Sequence, residues 1–311
     1  MKKKLVSVLL SVAIVATLLA GCGSSSKEAT TDTTTTTEAT TDTAAVEEPA
    51  ATDTTATDTT ATDTTTDATA ATAEEVPAAT YEYSFDNDLG GAVVATRVGD
   101  NEDGGNAGTL PAADATITPI YEEGVSGQAL TFDSTYGLIL DNAAAVGEDY
   151  TISFWVKAER FSNYGPILQL GSDLLSASTS AKWLNITKTD WDGDMAPVVW
   201  SRNEVDATWP WFACGTGFVM PKQEWVHVAV SVMGSTPVTD PADGLNYATG
   251  KVYVNGALMG TGNVALGTFT GDAKVYVGIN CWDILFKGAI DELKIYNTVL
   301  TDGQIVTLAT K

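Results

Sequence analysis

Along residues 81–311, apolar and polar side chains alternate with a period of two over many short runs, which Gly, Asp, Asn and Pro separate. This is the pattern of half-buried β-strands. It predicts strands at 81–85, 115–121, 128–133, 136–141, 149–158, 166–170, 182–188, 196–201, 210–213, 224–233, 250–255, 273–279 and 287–296. Successive side chains of a strand point to opposite faces. Hence Tyr150, Ile152, Phe154 and Val156 share one face, while Thr151, Ser153, Trp155 and Lys157 share the other. Val226, Val228, Val230 and Val232 likewise oppose Trp225, His227, Ala229 and Ser231. Val252 and Val254 oppose Tyr253, and Val275, Val277 and Ile279 oppose Tyr276. The aliphatic faces are expected to meet as the core between two layers. An outward Trp or Tyr is then either covered by a loop or offered to a ligand. Helical period is nearly absent except near the tail, where Thr301 and Gln304 form a capping box that opens a short helix through Ile305 and Leu308. So many closely spaced strands predict an all-β sandwich or barrel.

Two segments before residue 81 break the pattern. Lys2, Lys3 and Lys4 precede an apolar run from Leu5 to Ala20, the layout of a secretory signal and too short to span a bilayer. Leu19-Ala20-Gly21-Cys22 resembles the lipobox of bacterial lipoproteins. That resemblance implies that the signal peptide, residues 1–21, is removed and that Cys22 carries lipid, which would place the protein on the extracellular face of a bacterial cell membrane. Residues 22–80 are rich in Thr, Ala, Asp and Glu, and ATDTT occurs three times in tandem from residue 51. No aromatic side chain lies there, so the segment cannot offset the entropy of ordering and is expected to be a disordered tether. A coil of that length spans roughly 40 Å between its ends.

Charge and cysteine content narrow the partners. The formal net charge is −24, most of it on 81–311, which argues against nucleic acid or an anionic membrane surface. With Cys22 lipidated, Cys214 and Cys281 remain, free to pair as a disulfide outside the cell or to stay as two buried thiols.

Several runs resemble the laminin-G-like, concanavalin A-like domains of bacterial surface proteins. They are Tyr83-Ser84-Phe85-Asp86, Ala129-Leu130-Thr131-Phe132-Asp133 with Tyr136-Gly137-Leu138, the strand from Tyr150 to Lys157, the Trp-His strand from Glu224 to Val230, Val252-Tyr253-Val254-Asn255-Gly256, and the closing run from Phe286 to Tyr296. Thr298-Val299-Leu300-Thr301 then leads into the final helix. The resemblance implies a two-sheet antiparallel jelly-roll sandwich over 81–311, commonly a binding module. It also suggests a structural calcium joining the first and last strands, with Asp86 and Asp291 as ligands; hydrogen bonding of these carboxylates to backbone amides is the other reading. Residues 180–222 fit the family pattern poorly.

Catalytic chemistry finds little support. His227 is the sole histidine, and no nucleophile motif flanks it. Asp291 and Glu292 are adjacent, so they point to opposite faces instead of forming a glycosidase pair along one strand. The chain is therefore expected not to be an enzyme. Asp190, Asp192 and Asp194 around Gly193 resemble the first half of a calcium loop, but Ser201 stands where the loop's glutamate would fall, and a polar Asp-Gly turn explains them as well. The same region carries Trp183, Trp191, Trp200, Trp209 and Trp211. Flat rings near Asp and Asn suit a sugar, whose C–H face stacks while its hydroxyls hydrogen-bond. Trp191, Trp209 and Trp211 with Asp192 are the candidate ligand contacts, whereas Trp183 and Trp200 lie in strands and could be core. The expected task is non-catalytic binding of an extracellular glycan, with adhesion to a surface protein as the alternative.

Overall fold

The computed structural model describes residues 71–97, 108–160, 165–172, 174, 182–189, 196–202 and 211–311. Sixteen strands and one helix are set out in these residues. In chain order they are β1 (Tyr81–Tyr83), β2 (Val93–Thr96), β3 (Ala112–Ala113), β4 (Ile120–Glu123), β5 (Gln128–Asp133), β6 (Gly137–Ile139), β7 (Asp149–Arg160) and β8 (Pro166–Gly171). There follow β9 (Trp183–Thr189), β10 (Ala196–Arg202), β11 (Trp211–Gly215), β12 (Val226–Thr239), β13 (Asn246–Val254), β14 (Ala257–Val264), β15 (Lys274–Val277), β16 (Lys287–Tyr296) and α1 (Asp302–Leu308). Among the described residues no helix is long and apolar enough to cross a membrane.

The strands form two antiparallel sheets, a concanavalin A-like jelly-roll sandwich. The first runs β14-β13-β12-β7-β16-β5-β4, with β1 also pairing with β16. The second runs β11-β10-β9-β8-β15-β6-β2-β3. Their facing surfaces bury the aliphatic set that alternation assigns to the core: Ile152, Phe154 and Val156 from β7, Val226 to Val232 at every second position of β12, and Val252 and Val254 from β13. From the second sheet come Leu168, Leu170, Leu184, Ile186, Val199, Val275 and Val277. A slip of one residue in β12 against β7 would turn four valines out to water, so burial holds the register that pairs Val230 with Ile152.

Two departures from simple alternation reset the facing of residues that the sequence pattern assigns. Ile279 packs with Tyr276 on the outer side instead of opposing it, because Gly278 adopts φ +71° and turns the chain. Only glycine fits there, since a Cβ would meet the Phe132 ring at 2.8 Å or closer. In β16 the ladder to β7 shifts between Asp291 and Lys294, and Glu292 has φ +50°. This bulge puts Leu293 and Ile295 into the core while Asp291 stays outside it, so Asp291 does not share a face with those two residues.

The outer face of the first sheet is covered by α1. Thr301 and Gln304 make the capping box as expected: the Gln304 N–H donates to Thr301 Oγ1 at 3.1 Å, and the Thr301 N–H donates to Gln304 Oε1 at 3.0 Å. Leu300 and Ile305 then pack on Ala229, Tyr253 and Tyr296. The domain begins earlier than residue 81. Thr307 Oγ1 donates to the Glu74 carbonyl at 2.6 Å, Thr301 Oγ1 donates to Glu74 Oε2 at 2.6 Å, and the Thr80 N–H donates to the Ile295 carbonyl at 2.8 Å. Sequence composition alone places this stretch in the tether; the helix that receives it lies more than 200 residues away.

His227 is wholly enclosed on this face. Its Nε2 lies 2.8 Å from Ser153 Oγ, its ring meets Trp155 edge-on, and its Nδ1 has no partner. The acid that orients the histidine of a Ser–His–Asp triad has no counterpart at Nδ1 here. Burial pushes the imidazole pKa down from 6.5 to about 3. The folded chain thus binds fewer protons than the unfolded chain between those values, and stability is lost as pH falls below 6.5. The loss from this one group is about 2 kcal/mol at pH 5. Thermal melts at pH 7 and pH 5 are expected to show a larger drop in Tm for the parent than for His227→Gln. Equal drops would locate the acid sensitivity elsewhere.

Candidate functional site

An outward sheet face is normally solvated and polar. In the second sheet it is not. Each inward aliphatic pair of β8, β9 and β15 brackets one outward residue: Leu168-Gln169-Leu170, Leu184-Asn185-Ile186 and Val275-Tyr276-Val277. The ladder sets these residues side by side. Trp200 pairs with Asn185, Asn185 with Gln169, Gln169 with Tyr276, Tyr276 with Ile139, and Ile139 with Val93. One straight row therefore crosses six strands. Beside it Trp183 and Trp282 lie with ring centroids 5.7 Å apart, and Leu285, Cys281 and Ala95 fill the surroundings.

The two amides in the middle of the row are the anomaly. Gln169 is 0% exposed and Asn185 is 5% exposed. Neither amide atom of Gln169 and no group facing Asn185 Oδ1 completes a hydrogen bond. An enclosed polar group left without a partner costs about 1–3 kcal/mol. Two adjacent ones, ringed by indoles and a phenol, leave hydrogen-bonding capacity unused beneath the outer face. Trp200 and Trp282 are only half-buried. At the border Arg97 Nη2 donates to the Asp283 carbonyl at 2.6 Å, and Asn280 Nδ2 donates to Asp283 Oδ2 at 2.5 Å. Burial raises the Asp283 pKa from 3.8 to about 6.

Among the described residues, the first sheet's outer face carries clefts of about 320 and about 350 Å³. Their charges are already matched. Lys157 pairs with Glu122 at 2.8 Å in the smaller cleft, and Lys294 with Glu292 at 2.7 Å in the larger. Lys311 Nζ sits 4.9 Å from the Trp155 ring centre, closing that ring off. These clefts are weaker binding candidates than a row with open hydrogen-bonding capacity.

The residues singled out from sequence distribute unevenly. Trp191, Trp209 and Asp192 lie outside the described residues, as do Asp190, Asp194 and Cys22. Trp211 opens β11, in register with Arg202 of β10. Trp183 and Trp200, which the strand pattern left open as core, flank the amide row on the outer face and not the interior between the sheets. The proposed disulfide is not made: Cys214 and Cys281 are free, one in the core between the sheets and one in the outer cluster, and burial raises their pKa values to about 11 and about 12. Alternation already turns Tyr276 outward, but Gln169, Asn185 and Trp282 escape the sequence pattern. The available signal was a lone amide between two aliphatic residues in a strand.

Asp86 and Asp291 do converge, but on a hairpin. Asp291 Oδ2 accepts from the Val125 N–H at 2.7 Å and the Ser126 N–H at 3.1 Å, and its Oδ1 accepts from the Glu292 N–H at 2.8 Å. Asp86 Oδ1 accepts from the Gln128 N–H at 2.7 Å. Gly124 and Gly127 leave the room, since a Cβ at either would collide with one of the carboxylates. The two side chains thus clasp the β4–β5 turn to the first and last strands. Calcium takes six to eight oxygen ligands. Here N–H donors point at both carboxylates, and among the described residues no three His, Cys, Asp or Glu side chains cluster. This donor set does not fit a calcium ion. Burial raises the Asp291 pKa while the N–H groups oppose the rise. Asp291→Ala is expected to cost about 3 kcal/mol by orphaning those N–H groups, and EDTA is expected to leave the parent Tm unchanged. A fall in Tm on chelation would put a cation in the clasp.

Comparison with known proteins agrees with this architecture. No curated protein matches the chain at a significant level. Among solved structures, domain 4 of AbnA, an extracellular GH43 arabinanase from Geobacillus stearothermophilus solved with arabinotriose, is 27% identical with a TM-score of 0.55, covering 75% of this chain and 98% of that one. The CBM40 of the Ruminococcus gnavus IT-sialidase, solved with α2,3-sialyllactose, is 17% identical with a TM-score of 0.40, covering 61% of this chain and 98% of that one. A pentraxin from Limulus polyphemus is 16% identical with a TM-score of 0.38, covering 53% and 70%. The laminin G family model of the Concanavalin A-like lectin/glucanases superfamily matches residues 132–306, more than half of the sequence, and the chain belongs to that family.

Proposed function

We propose that the domain is a non-catalytic carbohydrate-binding module, held at the outer face of a bacterial membrane by lipid on Cys22. The observation that carries this reading is the buried amide pair, with both Gln169 amide atoms and Asn185 Oδ1 unsatisfied, set in a row with Trp200 and Tyr276 on a sheet face. Aromatic rings offer apolar faces to sugar C–H groups, and amides both donate to and accept from hydroxyls. The likeness to an arabinanase domain solved with arabinotriose supports the same class of ligand. The row supplies amides and rings where a glycosidase would need two opposed carboxylates. The lipobox-like Leu19-Ala20-Gly21-Cys22 supports the anchor, and the Thr-rich tether would hold the domain away from the bilayer.

Pull-down on insoluble polysaccharides and a glycan array test the ligand class. Gln169→Ala and Trp200→Ala are expected to weaken glycan binding at least about tenfold, while circular dichroism confirms that each variant folds. Binding that neither substitution changes would move the site; retention of a surface protein in place of glycan would favour adhesion. Cys22→Ser is expected to release the protein from the membrane fraction into the medium. Continued membrane association of that variant would rule out the lipid anchor.

A further inference from the structure

The row has a length, a direction and a charge balance, and together these narrow the ligand. From Trp200 to Tyr276 it crosses three inter-strand steps, about 14 Å in all, and it runs at right angles to the strands. An indole stands at one end and a phenol at the other, with the amide pair between them.

The cations nearby are engaged elsewhere. Arg97 donates to the Asp283 carbonyl and lies in the field of the Asp283 carboxylate. Lys182 reaches toward Gly267. Lys274 shares the outer face but stands exposed at its rim, opposite Gly171, where water screens it. The Asp141 carboxylate lies close enough to act on the Tyr276 hydroxyl. An acidic sugar entering this face would meet the Asp141 and Asp283 carboxylates, with the charge of the buried Arg97 already set against Asp283, whereas a neutral hydroxyl pair matches an amide's donor and acceptor.

We propose that this face takes a neutral oligosaccharide of about three sugar units laid across the strands, with rings gripping the outer units and Gln169 and Asn185 reading the hydroxyls of the middle one. The inference rests on the carbohydrate-binding reading above. The amides are covered, so a sugar reaches them when neighbouring side chains turn aside. Trp200 and Trp282 are the half-buried rings beside the pair, and tryptophan fluorescence should report their movement.

The test is a fluorescence titration of the full chain with arabino-, xylo- and cello-oligosaccharides of one to six units, and with oligogalacturonates of the same lengths as the anionic set. At least one neutral series is expected to gain tenfold or more in affinity between one unit and three, then to level off. Oligogalacturonates are expected to bind at least tenfold more weakly. Asn185→Ala and Gln169→Ala should abolish the gain, and Lys274→Ala should leave it intact. Preference for oligogalacturonates, or dependence on Lys274, would overturn the neutral assignment. A monosaccharide binding as well as a trisaccharide would overturn the extended geometry. Failure of every series to bind, or binding indifferent to both amide substitutions in folded variants, would instead overturn the carbohydrate reading beneath it.

Discussion

The period of two along a β-strand is the constraint on which this molecule depends. Every strand that buries one set of side chains between the sheets must present the alternate set outward. Val226 to Val232 in β12 and Ile152 to Val156 in β7 are held inward by the loss of apolar surface they would suffer outside, worth roughly 1.5–3 kcal/mol for each large side chain. The outward residues are placed as a consequence. His227, Ser153 and Trp155 on the first sheet, and Gln169, Asn185 and Tyr276 on the second, stand where the core puts them. Antiparallel pairing then aligns those positions into rows, so the make-up of each outward face follows from registers that the core enforces.

The two outward faces are finished differently. On the first sheet, α1, the segment from Glu74 to Thr80 and matched ion pairs satisfy most of what the strands present; Thr131 Oγ1 and His227 Nδ1 are exceptions. On the second, aromatic side chains lie beside two buried amides, of which both Gln169 amide atoms and Asn185 Oδ1 make no hydrogen bond. A fold under selection for stability alone would place apolar residues at 169 and 185, because an enclosed amide without a partner is destabilising. Local violations of this kind, inside an otherwise consistent structure, are expected at functional or strained sites.

Departures from alternation have their own use. Glu292 in the left-handed region and Gly278 at φ +71° each reset the facing of their strand. The first frees Asp291 from the core face and aims it at the N–H groups of the β4–β5 turn; the second lets the chain pass close over Phe132. Both lie in stretches where a strict two-residue count misplaces a neighbour, Leu293 and Ile295 in one case and Ile279 in the other.

The sequence by itself determined the all-β class, the inward faces of β7, β12 and β13, and the capping box of α1. These depend on neighbours in the chain, which periodicity and capping chemistry report directly. It also showed a Trp-rich region, but the rings it favoured were those next to Asp and Pro, whereas the row is built from Trp200, Asn185, Gln169 and Tyr276. Only the tertiary structure could assemble that row, because pairing joins strands distant in sequence and a lone amide between two leucines carries no sign of what will lie beside it. The same holds for Asp86 and Asp291. Their carboxylates are legible in the chain, but their shared grip on one hairpin exists only once β1, β5 and β16 are brought together.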